Sequence, residues 1–262
     1  MKRIFTIILF LGLMAGLMFG CNTVGLDDEL KAAREAAFQG DYDQAMRHTD
    51  LCLGIAPNNV DALLLHGFCL YSSSSAGALS KASALRFLEK ATKLAPTRLD
   101  AWLFYGWALY NNDMSHEAIE PLERALALAP ADSKHKGDIM LMLGRCCVHN
   151  NLQQKAMNYL QPLRVRKPYS QWPEIYNSLG MLSLHRGQIQ EALDNFSKAY
   201  SLSPDNPDLL QNIAVTFDLH LQRPDHARRF YIKTLAALAK SPDQARKLRL
   251  QNRLAHLTPR KK

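Results

Sequence analysis

Apolar, small and charged positions recur along this chain with a period of 34 residues, six times over. The period predicts two antiparallel helices per copy, over 26–59, 60–98, 99–132, 137–170, 173–206 and 207–240. Helices that cross closely need small residues at the crossing. Gly67, Gly106, Gly144, Gly180 and Ala214 fill one such position, and Ala45, Ala84, Ala118, Ala156, Ala192 and Ala227 fill the facing one. Pro57, Pro96, Pro130, Pro168 and Pro204 then close the second helix of their copies, because proline lacks the helical N–H and clashes with the preceding turn.

The departures from the period are equally local. The second copy carries five extra residues in its helix-helix turn, within Ser72-Ser73-Ser74-Ser75-Ala76-Gly77, a polar run that lengthens a surface loop. Ser133 to Lys136 precede the fourth copy and Gln171-Trp172 the fifth. The sixth copy has Ala239 where the others have proline, so its second helix is expected to run on toward the C-terminus. Ser241-Pro242 reads as the N-cap and first position of a closing helix, with Leu250, Leu254 and Leu257 on an apolar stripe and Arg246, Arg249 and Arg253 on a basic one.

The third copy reads Trp102-Leu103-Phe104-Tyr105-Gly106-Trp107-Ala108-Leu109, then Ala118, Leu122, Ala125 and Pro130; the fifth reads Tyr176, Leu179-Gly180, Ser183, Ala192, Phe196, Ala199 and Pro204. With this W-x2-L-G-x2-Y, A-x3-F, P spacing the chain resembles the tetratricopeptide repeat family over nearly its whole length after the N-terminal segment. The resemblance implies an all-α, right-handed superhelical solenoid of about six helix-turn-helix repeats, 26–240, followed by a basic capping helix and tail over 241–262. It also implies that the first helix of each pair lines a concave groove. Carried onto this chain, the groove positions are Leu64, Phe68 and Tyr71, then Leu103, Phe104, Trp107 and Tyr110, then Leu141, Met142, Arg145 and Val148. Trp102 is expected in the repeat core, where truncation would cost about 3–5 kcal/mol, and Trp107 in the groove. An apolar strip of this kind would suit an amphipathic helix or an extended apolar peptide. The Lys and Asn pattern that grips a terminal carboxylate is missing, since Leu64, Phe68 and Phe104 stand in its place. Asp27, Asp61, Asp100, Asp138, Glu174 and Asp208 recur at the start of the first helices, where a carboxylate compensates the helix dipole.

A different signal precedes the repeats. Met1-Lys2-Arg3 is basic, Ile4 to Phe19 is uncharged and almost wholly apolar, and the run ends in Leu17-Met18-Phe19-Gly20-Cys21. This is a secretory signal, and its end resembles the lipobox of bacterial lipoproteins, which implies that 1–20 is removed and Cys21 is lipidated. An uncleaved anchor is the alternative, because about 17 apolar residues can just span a bilayer. Either way 22–262 lies outside the cytoplasm. Asn22 in place of an aspartate implies, by the same resemblance, the outer membrane with the repeats facing the periplasm, and Asn22 to Gly25 form a short tether.

The formal charge of +8 is concentrated at one end: from Arg223 onward 12 Lys and Arg face Asp225 and Asp243. In an exported protein this points to an anionic surface through Arg246, Arg249 and Arg253, or to the solvated outer face of the last helix, and not to nucleic acid. Cys52 and Cys69 read as small buried residues or, in an oxidising compartment, as a disulfide pair. Cys146-Cys147 with His149 lack a second pair of ligands at metal spacing. There is no G-x-S-x-G, H-E-x-x-H, P-loop or G-x-G-x-x-G, so no catalytic residue, cofactor, metal or small-molecule substrate is expected. The expectation is a non-enzymatic scaffold for a protein partner in pilus, secretin or envelope complex assembly. The alternatives are an adaptor for peptidoglycan hydrolases or proteases and a component of outer-membrane protein insertion.

Overall fold

The computed structural model describes residues 23–73, 77–131, 133 and 135–257. The signal segment and Cys21 lie outside the described residues, as do Ser74, Ser75 and Ala76 of the long turn. The described residues contain thirteen α-helices and no strand. They run as α1 (Thr23–Gln39) and α2 (Tyr42–Ile55), α3 (Val60–Ser72) and α4 (Ala78–Leu94), α5 (Leu99–Asn111) and α6 (Ile119–Leu128), α7 (Lys136–His149) and α8 (Gln153–Val165), α9 (Pro173–His185) and α10 (Ile189–Leu202), α11 (Pro207–Val215) and α12 (Pro224–Ala237), and finally α13 (Gln244–Leu257). None of these helices is long and apolar enough to cross a membrane. The chain divides into two compact units, Met1–Cys146 and Cys147–Lys262.

In the first unit each helix from α1 to α6 packs on the next, and the first helices of successive pairs also touch, α1 with α3 and α3 with α5. The crossing glycines explain the closeness. A Cβ on Gly67 would stand 2.8 Å from Leu88 Cγ, and one on Gly106 would stand 2.7 Å from Leu122 Cγ. The large residue one turn beyond the conserved-spacing alanine therefore fills the space that glycine leaves. Ala84, Ala118, Leu88 and Leu122 are all fully buried. The same geometry recurs in the second unit, where a Cβ on Gly180 would meet the Phe196 ring at 2.5 Å.

Helix ends follow local chemistry. Asp41, Asn59 and Asn206 accept hydrogen bonds from the first-turn N–H groups of α2, α3 and α11. Ala56, Ala95, Ala129 and Ser203 cap the C-termini of α2, α4, α6 and α10, and the repeat proline follows each directly. Five of the six turns inside the pairs pass through a left-handed residue: Gly40, Asp113, Asn151, Gly187 and Gln222. Glycine adopts this backbone without penalty and Asp or Asn at small cost.

Three sequence expectations change here. The sixth pair does not run on: α12 ends at Ala237 with Leu238 as its cap, since the residue before Pro242 is pushed out of the helical region. The closing helix starts later than Ser241-Pro242 implied. Asp243 Oδ1 accepts the Arg246 N–H at 2.9 Å and so serves as its cap. Asp27 lies in the second turn of α1, not at its start, because the helix begins at Thr23. The four described cysteines are buried, and Cys52 and Cys69 are not joined to each other. Cys52 packs with Leu30 and Ala62 while Cys69 packs with Ala36, Ala37, Ala45 and Phe68, so the two thiols belong to separate clusters. Burial pushes the Cys69 thiol up to about 12, which makes it inert at neutral pH.

Candidate partner strip and the basic end

The residues expected in the groove divide into two groups. Leu64, Phe68, Leu103, Leu141, Met142 and Val148 are buried. Buried side chains cannot present themselves to a partner; Leu64, Phe68 and Leu103 lie on α3 and α5, first helices that touch one another in the first unit. Leu64 joins Leu63, Leu88, Ala91, Ala101 and Ala108 in one core cluster. Tyr71, Phe104, Trp107, Tyr110 and Arg145 remain half-exposed.

Three of these five, Tyr71, Phe104 and Trp107, sit around a continuous set of rings in the first unit. Phe68 lies 5.7 Å from Phe104 and 6.0 Å from Trp107, and Trp107 meets Tyr71 edge-on at 4.9 Å. Tyr42, which the periodicity did not single out, meets Phe68 edge-on at 6.0 Å. Such spacings suit aromatic pairs. Two cations border the rings: Lys81 Nζ stands 5.5 Å from the Tyr71 centroid and the Arg145 guanidinium 5.3 Å from that of Tyr110. Asn111 Nδ2 donates to the Trp107 carbonyl at 2.7 Å, which ties down the helix end beneath the strip. The arrangement offers half-buried aromatic faces with flanking positive charge. It holds no group poised for catalysis, and no cluster of three or more metal-binding side chains occurs among the described residues.

Trp102 does not enter the core. It is half-exposed, its indole N–H donates to the Pro96 carbonyl at 2.8 Å, and Arg124 lies over its ring at 5.9 Å. Trp102 starts one turn ahead of the crossing glycine, at the mouth of the pair, while Leu103 and Leu109 on the same helix are buried instead. Trp107, for its part, packs on two core clusters as well as the strip.

The acidic row forms ion pairs beyond its dipole role. Arg98 donates to Asp61 at 2.8 Å and to Asp100 at 3.0 Å, and Arg34 approaches Asp61 at 3.4 Å. These side chains are about one-third exposed, so each pair contributes little, about 0.5 kcal/mol. Asp138 differs, since burial pushes its carboxyl up to about 6.

Two members of the expected basic stripe are tied to the sixth pair. Arg246 donates to Gln211 Oε1 and Asp208 Oδ1, each at 2.8 Å, and to the Pro207 carbonyl at 3.3 Å. Arg253 grips both oxygens of Asp218 at 2.6 Å. Asp218 is 4% exposed and also accepts the Tyr231 hydroxyl at 3.0 Å. A widened π-helical stretch, Thr216–His220, follows α11 directly and carries Asp218 inward. The Arg253 guanidinium holds the Asp218 carboxyl below the usual carboxylate range, and burial beside that carboxylate pushes the Tyr231 phenol up to about 12. Arg246 and Arg253 thus join α13 to the sixth pair, with the Arg253 side chain still 42% exposed, while Arg249 is exposed and makes no such tie. The sequence held a faint sign of this: Asp218 is an acid in the middle of an apolar run, where a carboxylate needs a cation.

Residues 99–132 and 173–206 match the tetratricopeptide repeat family. Comparison with curated proteins finds no match. Among solved structures the chain is similar to PilW, a type IV pilus biogenesis factor, over 87% of this chain and 100% of that one, at 20% identity and a TM-score of 0.66. It is similar to PilF of Pseudomonas aeruginosa over 87% and 97%, at 16% identity and 0.60. YrrB, a tetratricopeptide protein with an unusual peptide-binding site, aligns over 78% and 97%, at 22% identity and 0.50. These likenesses show the fold, so the helix pairs described above are those of an all-α tetratricopeptide architecture.

Proposed function

We propose that the chain is a non-enzymatic scaffold that holds a protein partner, an amphipathic helix or apolar peptide segment, on the ring strip of Tyr71, Phe104 and Trp107, with Tyr110 on the same helix as the last two. The observation that carries this reading is the strip itself. Large half-exposed aromatic faces with a buried floor are what interface anchors are made of. We further propose that lipid on Cys21 anchors the protein to the outer membrane with the repeats facing the periplasm, and that the machine it serves assembles pili or secretins. The likeness to PilW and PilF over nearly their full lengths supports this choice. The membrane assignment rests on the apolar run ending in Gly20-Cys21.

Trp107 and Trp102 give a matched test, because both are half-exposed on α5 but only Trp107 joins the strip. Each Trp→Ala change should cost about 1–3 kcal/mol in stability. Trp107→Ala alone should weaken capture of the partner co-purified from native membranes, by about 2 kcal/mol or roughly 30-fold. Equal capture by the two variants would move the binding surface elsewhere. A secretin or pilin in the captured material supports the assembly role, and a hydrolase or protease would replace it. Cys21→Ser should release the protein from membranes or block its processing; intact mass with an unmodified Met1 would instead favour the uncleaved anchor.

A further inference from the structure

We propose that the outer face of α12 and α13 is a docking surface for anionic lipid. Between Arg223 and Leu257 nine Lys and Arg stand against Asp225 and Asp243. Four of the nine are engaged: Arg246 and Arg253 as above, Lys247 with the Ala239 and Ser241 carbonyls, and Lys233 with the Tyr200 hydroxyl. Arg223, Arg228, Arg229, Lys240 and Arg249 are exposed and form no ion pair with a described carboxylate.

Helical spacing puts the key residues on the outside. On α12 the buried stripe is Ala227, Tyr231 and Thr234, which leaves Arg228, Arg229 and Ile232 on the opposite side. On α13 Leu250 is buried and Arg246 and Arg253 turn inward, so Leu248 and Arg249 face out. Ile232 is 45% and Leu248 57% exposed. A purely solvated cap would account for the charges but not for two large aliphatic side chains among them. A polyanionic protein or nucleic acid would match the charges and leave the same aliphatics unused. The boundary between headgroups and acyl chains takes both at once: guanidinium groups meet phosphates while aliphatic side chains enter the hydrocarbon edge.

The test places an environment-sensitive fluorophore at this face in the full chain. Cys52, Cys69, Cys146 and Cys147 are buried, so native labelling of Ile232→Cys reports on position 232, with the unsubstituted chain labelled in parallel to give the Cys21 background. Leu128→Cys, on an exposed position of α6, is the control. With vesicles of phosphatidylglycerol and phosphatidylcholine, emission at position 232 should shift to the blue, and the shift should vanish in about 0.5 M salt as screening shortens the reach of the charges. Pure phosphatidylcholine should give no shift, and neither should position 128. Combining Ile232→Cys with Arg228→Gln, Arg229→Gln and Arg249→Gln should abolish the response with the melting temperature unchanged. An equal shift on phosphatidylcholine, or no shift on either vesicle, overturns the proposal. The same shift with soluble polyglutamate would assign the face to an acidic protein and overturn it too.

Discussion

Arg253→Met is expected to destabilise the second unit by about 1–2 kcal/mol, a loss moderated by water because the Arg253 side chain is 42% exposed, while Arg249→Met on the same helix stays within about 0.5 kcal/mol of the parent. The asymmetry comes from what each change leaves behind. Without Arg253 the Asp218 carboxylate, 4% exposed, retains only the Tyr231 hydroxyl. Without Arg249 nothing buried loses a partner. Replacing all three members by apolar groups, as Asp218→Leu, Tyr231→Phe and Arg253→Met together, should recover most of the loss, since no buried charge or hydroxyl is then orphaned. Denaturant unfolding measures the stabilities, and hydrogen exchange should show α13 opening first in Arg253→Met.

Acid gives the same pair a signature of opposite sign. In the parent, Asp218 titrates below its unfolded value near 4. Its contribution is therefore complete above about pH 4 and is lost as pH falls through the depressed folded value. In Arg253→Met the lowering by the guanidinium is gone, so the folded value should move back up toward the unfolded one. Acidification should then shrink the deficit of the variant. Parallel stability curves for parent and variant between pH 3 and 7 would show that Arg253 acts only by packing its aliphatic stem.

Phe196→Ala should cost about 3–5 kcal/mol, because the ring is fully buried between Tyr176, Leu184, Leu209 and Ile213. Gly180→Ala tests the opposite defect. On an open helix this change gains up to about 1 kcal/mol. Here the new methyl would stand 2.5 Å from Phe196 Cε1, and overpacking of a ring held on all sides costs about 1–3 kcal/mol. A net loss of about 1–2 kcal/mol is expected. Phe196→Leu should absorb part of it, so the double variant should be more stable than the two single losses added together. A stabilised Gly180→Ala would mean that the ring can move aside and that the crossing is not set by the glycine.

The repeat architecture was legible because each repeat depends on contacts inside one period. An Asn or Asp cap and a proline after the last turn act on their own helix, and a small residue at a crossing acts on the partner helix of the same pair. A pattern read along the chain therefore recovers the helix pairs. The groove was legible in part only. Periodicity gives the side of the helix on which a residue lies, and Phe68, Phe104, Trp107 and Leu64 do share one. How deep each sits depends on how closely the neighbouring first helix approaches, and that contact buried Leu64, Phe68 and Leu103 while Tyr71, Phe104 and Trp107 stayed at the rim.

The basic end shows the same boundary more sharply. Composition alone located a dense run of Lys and Arg, and helical spacing alone aligned Arg246, Arg249 and Arg253. Neither could say that Asp208 and Asp218, 38 and 35 residues earlier in the chain, wait for two of them. Asp218 turns inward within the π-helical stretch Thr216–His220, which no local signal in the sequence encodes. Helices and their ends were readable along the chain because they rest on local sterics and backbone hydrogen bonds, and the crossings because they recur within each period. Which aromatics are floor and which are surface, and which arginines are ties to the sixth pair, emerged from the folded chain alone, because burial and pairing join residues far apart in sequence.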